Sequence, residues 1–211
     1  MRDSKLDRKN VGLAKLLYRL RQDIDLYRVI TLNGDSLMKR KVGLFFWAHI
    51  QWLAHQSVAV GICKMFEREK TNDLNSIPGI IGLLPARCEP AQRLKVNRFA
   101  RRFGVVEEWT DVRQYLLSVL DGFSNAHAAE MSKLRRFRDK FGVHSEHGAT
   151  LKPLPSIAEF EALFEFGDAF YRLVSDVFID VAPAPISAEV AVSATRVMEC
   201  LGLENPKLDF K

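Results

Sequence analysis

The sequence predicts a single all-α domain, and three observations carry that prediction. Apolar residues recur at helical spacing through nearly the whole of the 211 residues, recognisable start and stop signals cut the chain into helix-length segments, and no run of alternating β-branched residues competes with them. With 47% apolar and 27% charged residues, a chain of this length can bury its own core without disulfides or metal.

The first helix is expected over about 11–32, closed by the Asn33-Gly34 pair. Asp35 or Ser36 would cap a second helix running to about residue 69, because Trp47, Ala54, Val58, Ile62 and Met65 recur on one face. Phe46, Ile50 and Leu53 give this helix a second apolar flank, so it is expected to be the spine, packed on more than one side. Residues 71–84 turn to Asn, Asp, Ser, Pro and Gly and read as a loop with one short turn. A basic helix follows, with Pro90 in its first turn and Gly104 at its end. Thr110 would cap the next helix, which kinks or runs on near Gly122 and continues to Phe141, where Gly142 stops it. After a proline-containing loop over 144–155, Ser156 and Glu159 form a capping box before a long amphipathic helix through Phe160, Phe164, Tyr171, Val174 and Phe178. The APAPI stretch at 182–186 breaks it, and a last helix spans about 187–201.

Composition narrows the function classes. Cys63, Cys88 and Cys200 are odd in number and lack ligand spacing, which points to reduced thiols rather than a disulfide framework or a zinc site. The polar opening MRDSKLDRKN has no apolar signal core, and the apolar stretch over 42–66 is interrupted by His49, Gln51, His55, Gln56 and Lys64. A cytoplasmic protein with no membrane association is therefore expected. The net charge of +5 permits an anionic partner without identifying one.

One residue sits in the wrong place for a simple core helix. At about 100° per residue with Leu134 at zero, Met131 falls at about 60°, Phe137 at about −60° and Phe141 at about −20°, and Arg138 lies inside that apolar arc at about 40°. An unpaired buried guanidinium costs several kcal/mol, so Arg138 needs a buried partner, an interface or an anion in a groove, or else it pairs with a carboxylate such as Glu67 or Glu130 or snorkels past the apolar residues to water. Asp139 follows directly and His144 lies just past Gly142, which gathers a fixed cation, a carboxylate and a titratable imidazole near one helix exit. Those three groups suit phosphodiester chemistry on RNA without metal. Arginine holds phosphate oxygens, histidine moves a proton near neutral pH, and the carboxylate orients its neighbour. The 2′-hydroxyl supplies the nucleophile, so DNA would be spared.

The run Arg138-Asp139-Lys140-Phe141-Gly142-Val143-His144 resembles the Arg, polar, spacer, His motif of HEPN-domain proteins. Its context, WAHIQWLAHQSVAVGICKMFERE, then NDLNSIPGIIGLL, then LRRFRDKFGVHSE, is similar to the AbiU-like group of that superfamily. The resemblance covers about residues 46–146. It implies a helical bundle of HEPN type with additional terminal helices, a HEPN-like core over about 36–181, and the C-terminal helix at 187–201. It further implies a homodimer joining two motifs in one cleft, metal-independent RNA cleavage, and a toxin or phage-defence role with an antitoxin or regulatory partner. Arg138 would bind the scissile phosphate, His144 would act as general base or acid, and Asp139 would fill the polar position. His147 lies close enough to be mistaken for His144. In the same group a charged pair occurs where Lys64 and Glu67 stand, which gives them a supporting role, although three residues apart on a helix they can simply pair with each other.

No cofactor or metal is called for. Arg98, Arg101 and Arg102, with Arg135 and Arg136, could form a track for an RNA backbone, or merely solvated helix faces. His49 and His55 read as hydrogen-bonded core or flank residues, and Trp47 and Trp52 as core anchors. The alternative to an enzyme is a non-catalytic helical module that binds RNA, nucleotide or a protein partner through the same groove.

Overall fold

The computed structural model describes residues 4–41, 43–68, 75–139, 155–186, 189–200 and 202, and among these every regular element is helical. In chain order they are α1 (Lys5–Arg40), α2 (Leu44–Phe66), the short α3 (Ile77–Ile81), α4 (Pro90–Arg102), α5 (Val112–Ala126), α6 (Ala128–Phe137), α7 (Ile157–Val174) with a π-helical turn (Ser175–Ile179), and α8 (Glu189–Cys200).

The first helix departs most from expectation. Asn33 and Gly34 do not end it, and Asp35 and Ser36 lie inside it rather than capping a successor. The Asn33 side chain turns back to donate to the Val29 carbonyl at 2.8 Å, so it no longer competes for the backbone as a helix stop would require. Val29, Ile30 and Leu37 are buried against Met198 of α8, with Leu26, Trp47 and Ile50 around them. That packing carries the helix through a sequence that would stop an isolated one. The reversal comes at Lys41 and Gly43, both with left-handed backbone at φ 55° and 59°, and Gly43 is the N-cap of α2.

The lengthened α1 is the spine in place of α2, because α2, α3, α7, the π-turn and α8 all pack along it. The expected inner face of α2 is correct, with Ala54, Val58, Ile62 and Met65 buried. Its second flank is packed only in part: Ile50 lies against the small core of Val29, Ile30, Leu37 and Met198, whereas Phe46 and Leu53 stay exposed.

A polar cluster joins α1 to α7. Arg21 donates to both Glu161 oxygens at 2.8 and 2.7 Å and through Nε to Asp25 at 2.9 Å, while Arg28 also binds Glu161. On the far side, Phe66, Phe99, Phe103 and Phe123 surround Phe166, which stacks on Phe123 at 4.2 Å. Aromatic pairs in this range add to the area they bury.

Local signals are obeyed elsewhere. Pro90 opens α4, and Ser156 and Glu159 form a reciprocal capping box on α7. Gly104, at φ 79°, takes the left-handed position just after α4. Asp111, not Thr110, caps α5, its carboxylate accepting from the Arg113 and Gln114 backbone. The chain passes Gly122 without a break and turns instead at His127, which ends α5 and starts α6.

Candidate functional site

The apolar arc of α6 is real. Met131, Leu134 and Phe137 are buried, and Arg138 stands at the edge of their face with 27% of its side chain exposed. Its Nε and Nη2 both reach Oδ1 of Asp139, at 2.9 and 2.8 Å. Among the described residues its partner is therefore the carboxylate next in sequence, not Glu67 or Glu130. The Nε hydrogen bond and the Nη2 ion pair onto one oxygen restrain the guanidinium beside Asp139.

Helix α6 packs on α2 and α5, which sets Arg138 over the C-terminal turn of α2. Partial burial opposes the charge on Arg138, but the Asp139 bond and the nearby Cys63, Asp139 and Glu67 outweigh it, and its pKa rises above the ordinary arginine value. Glu67 is the exposed C-cap of α2, and Lys64 is exposed one turn earlier. The fold thus brings Glu67 into the electrostatic surroundings of Arg138.

Cys63, a reduced thiol by the sequence reading, lies in the electrostatic surroundings of Arg138. Burial pushes its thiol up to about 11, against the pull of Arg138 and Arg135. It stays protonated at neutral pH as a buried thiol within the electrostatic reach of Arg138. Only the contact between two distant helices reveals it.

Beneath Phe137 lies a second feature, His55, which is 1% exposed and whose ring nitrogens have no hydrogen-bond partner among the described residues. Tyr27, Phe137 and Phe160 surround it edge-on, at centroid distances of 5.4, 4.6 and 5.3 Å. The expectation of a hydrogen-bonded histidine fails here: the cage supplies ring edges and faces where a polar partner would stand. Desolvation lowers its pKa to about 4, so it is neutral in the folded state. His49 is exposed.

The basic residues fall into two sets. Arg135 and Arg136 are exposed on α6, whereas Arg98, Arg101 and Arg102 are exposed on α4, which packs on α7. Arg98 and Arg102 line a surface groove of about 390 Å³ with Lys95, Phe99, Arg172 and Asp176. Part of that charge is already neutralised, since Lys95 pairs with Asp176 at 2.8 Å and Arg102 with Glu165 at 3.5 Å. Arg93 has a structural task, donating to the Trp109 carbonyl at 2.6 Å and lying over its ring.

His144 and His147 lie outside the described residues, as do Phe141 and Gly142. Among the described residues no three His, Cys, Asp or Glu side chains gather as metal ligands, and no helix is long and apolar enough to cross a membrane. Cys63, Cys88 and Cys200 are free.

No family profile, curated protein or solved structure matches the chain.

Proposed function

We propose that this chain is a metal-independent endoribonuclease of HEPN type, acting as a homodimer and serving as a toxin or phage-defence component under an antitoxin or regulatory partner. The observation that carries the reading is Arg138. It stands at the rim of an apolar helix face, paired with Asp139, with Arg135 and Arg136 exposed on the same helix.

In this mechanism Arg138 binds the scissile phosphate and stabilises the crowded phosphorane, and Asp139 restrains it. His144 takes the proton from the 2′-hydroxyl or returns one to the leaving 5′-oxygen. Arg135 and Arg136 hold the adjacent backbone, and Arg98, Arg101 and Arg102 extend the contact. Lys64 and Glu67 support the cleft electrostatically. A two-fold partner placed near α6 brings a second motif to the same cleft and covers the exposed Leu53 of α2.

The test is cleavage of single-stranded RNA in excess EDTA. The expected result is 2′,3′-cyclic phosphate ends, no action on DNA of the same sequence, and a dimer in sedimentation at micromolar concentration. Protein freed of any inhibitor that cuts nothing, yet binds RNA or a partner through Arg138 with affinity unchanged in His144→Ala, is the non-catalytic module instead.

A further inference from the structure

The corner between α1 and α2 presents apolar side chains that the fold does not use. Phe45 is 94% exposed, Phe46 59% and Met38 60%, and Leu44 is also exposed. Scattered exposed apolar residues need no explanation, but several within one helix reversal mark a contact surface. Their neighbours Trp47 and Ile50 already fill the small core of Val29, Ile30, Leu37 and Met198. Phe46 rests edge-on against Trp47 at 5.2 Å, so Trp47 ties the corner down while the two phenylalanines project from it.

Charge decides what covers them. No Asp or Glu occurs anywhere from residue 36 to 66, whereas Lys39 and Lys41 are exposed on the α1 side of the turn. Asp35, one turn back on α1, is the nearest acid in sequence. Gly43 gives α2 no side-chain cap, and the first turn of α2 holds no acidic residue. Amide groups and the positive end of a 23-residue helix therefore add to the lysines at the same corner. A second copy docking here would bring like charges together, while a surface of phosphodiesters over hydrocarbon matches both halves of the patch.

We propose that this corner docks on anionic lipid bilayers, with Phe45 and Phe46 entering the acyl boundary and Lys39 and Lys41 meeting headgroup phosphates. The contact is peripheral, departing from the expectation of no membrane association while needing no membrane-spanning helix, and is independent of the site at Arg138.

The experiment is co-sedimentation of the full chain with vesicles of phosphatidylcholine alone or containing about 30% phosphatidylglycerol, at low and high salt. The wild type should bind the anionic vesicles, ignore the neutral ones and release in salt. The double variant F45S/F46S should lose about tenfold or more in partitioning, and K39E/K41E should lose the preference for anionic lipid. These positions are exposed, and circular dichroism checks that both variants stay helical. Wild type that ignores anionic vesicles, or variants that bind like wild type, overturns the proposal. It is equally overturned if the wild type self-associates through a contact that F45S/F46S dissolves, without binding vesicles. Binding to poly-glutamate in place of vesicles, lost in K39E/K41E, would give the corner to an acidic protein partner and also overturn it.

Discussion

Phe137, the residue immediately before Arg138, meets the buried imidazole of His55 edge to face at 4.6 Å. The α6 segment that presents the arginine is thus anchored on a ring that must stay uncharged, because His55 is enclosed by Tyr27, Phe137 and Phe160 with no hydrogen-bond partner among the described residues. This ties the position of the site to the protonation of a residue that takes no part in its chemistry.

The first prediction is a pH dependence of stability. The folded-state pKa of His55 is lowered to about 4 from 6.5, so the unfolded chain takes up the proton first. Its contribution is fully present above about pH 6.5 and is lost as pH falls toward 4, amounting to about 3 kcal/mol at the low end. His55→Phe should stay within about 1.5 kcal/mol of wild type at pH 7.5 and lose less stability on acidification. Urea melts of both proteins at pH 7.5 and 5 check this; parallel losses would clear His55 of the effect.

The cluster that joins α1 to α7 should be sensitive at Glu161. Removing this carboxylate leaves Arg21 and Arg28 facing each other, with only the nearly enclosed Asp25 between them. Glu161→Ala should cost about 2–3 kcal/mol in chemical denaturation, whereas an exposed pair such as Arg68–Asp121 should cost under about 1 kcal/mol when broken.

Gly167 lets α7 approach the rest of the core. A Cβ there would collide with the sulfur of Met65 and crowd Leu17, both fully buried. Gly167→Ala should therefore lower stability by about 1–3 kcal/mol, even though alanine is the better helix former. The double change Gly167→Ala with Met65→Ala should recover part of the loss relative to Met65→Ala alone, which thermal melts would show.

For the proposed ribonuclease, His144→Ala should reduce the cleavage rate by roughly 10²–10⁴-fold by removing proton transfer. Arg138→Lys keeps the charge but loses the planar fork, so it should fall well below wild type while retaining helical content. His147→Ala is the internal control. Loss of cleavage in His147→Ala with His144→Ala intact would move the general base to His147.

The sequence could be read wherever a signal acts over one or two turns. Pro90, the Ser156/Glu159 box and Gly104 each satisfy or terminate backbone groups within four residues, so their effect needs no distant partner. The placement of Arg138 on the Met131–Leu134–Phe137 face follows equally from helical periodicity.

Other features were decided by contacts between distant segments. Asn33-Gly34 has the composition of a helix stop, yet α1 continues because residues flanking that pair pack against Met198, some 165 positions later in the chain. Phe46 and Leu53 have the spacing of a core flank, but no helix among the described residues covers them. Cys63 near Arg138, and His55 with no polar partner among the described residues, exist only because α2 and α6 meet. Sequence alone determined helix content, the helix ends marked by Pro90, Gly104 and the Ser156/Glu159 box, and the anomalous arginine, since backbone hydrogen bonding and side-chain period are local. Tertiary structure decided which helix became the spine, what lies near the arginine and which apolar faces remain open, because burial depends on partners that periodicity cannot name.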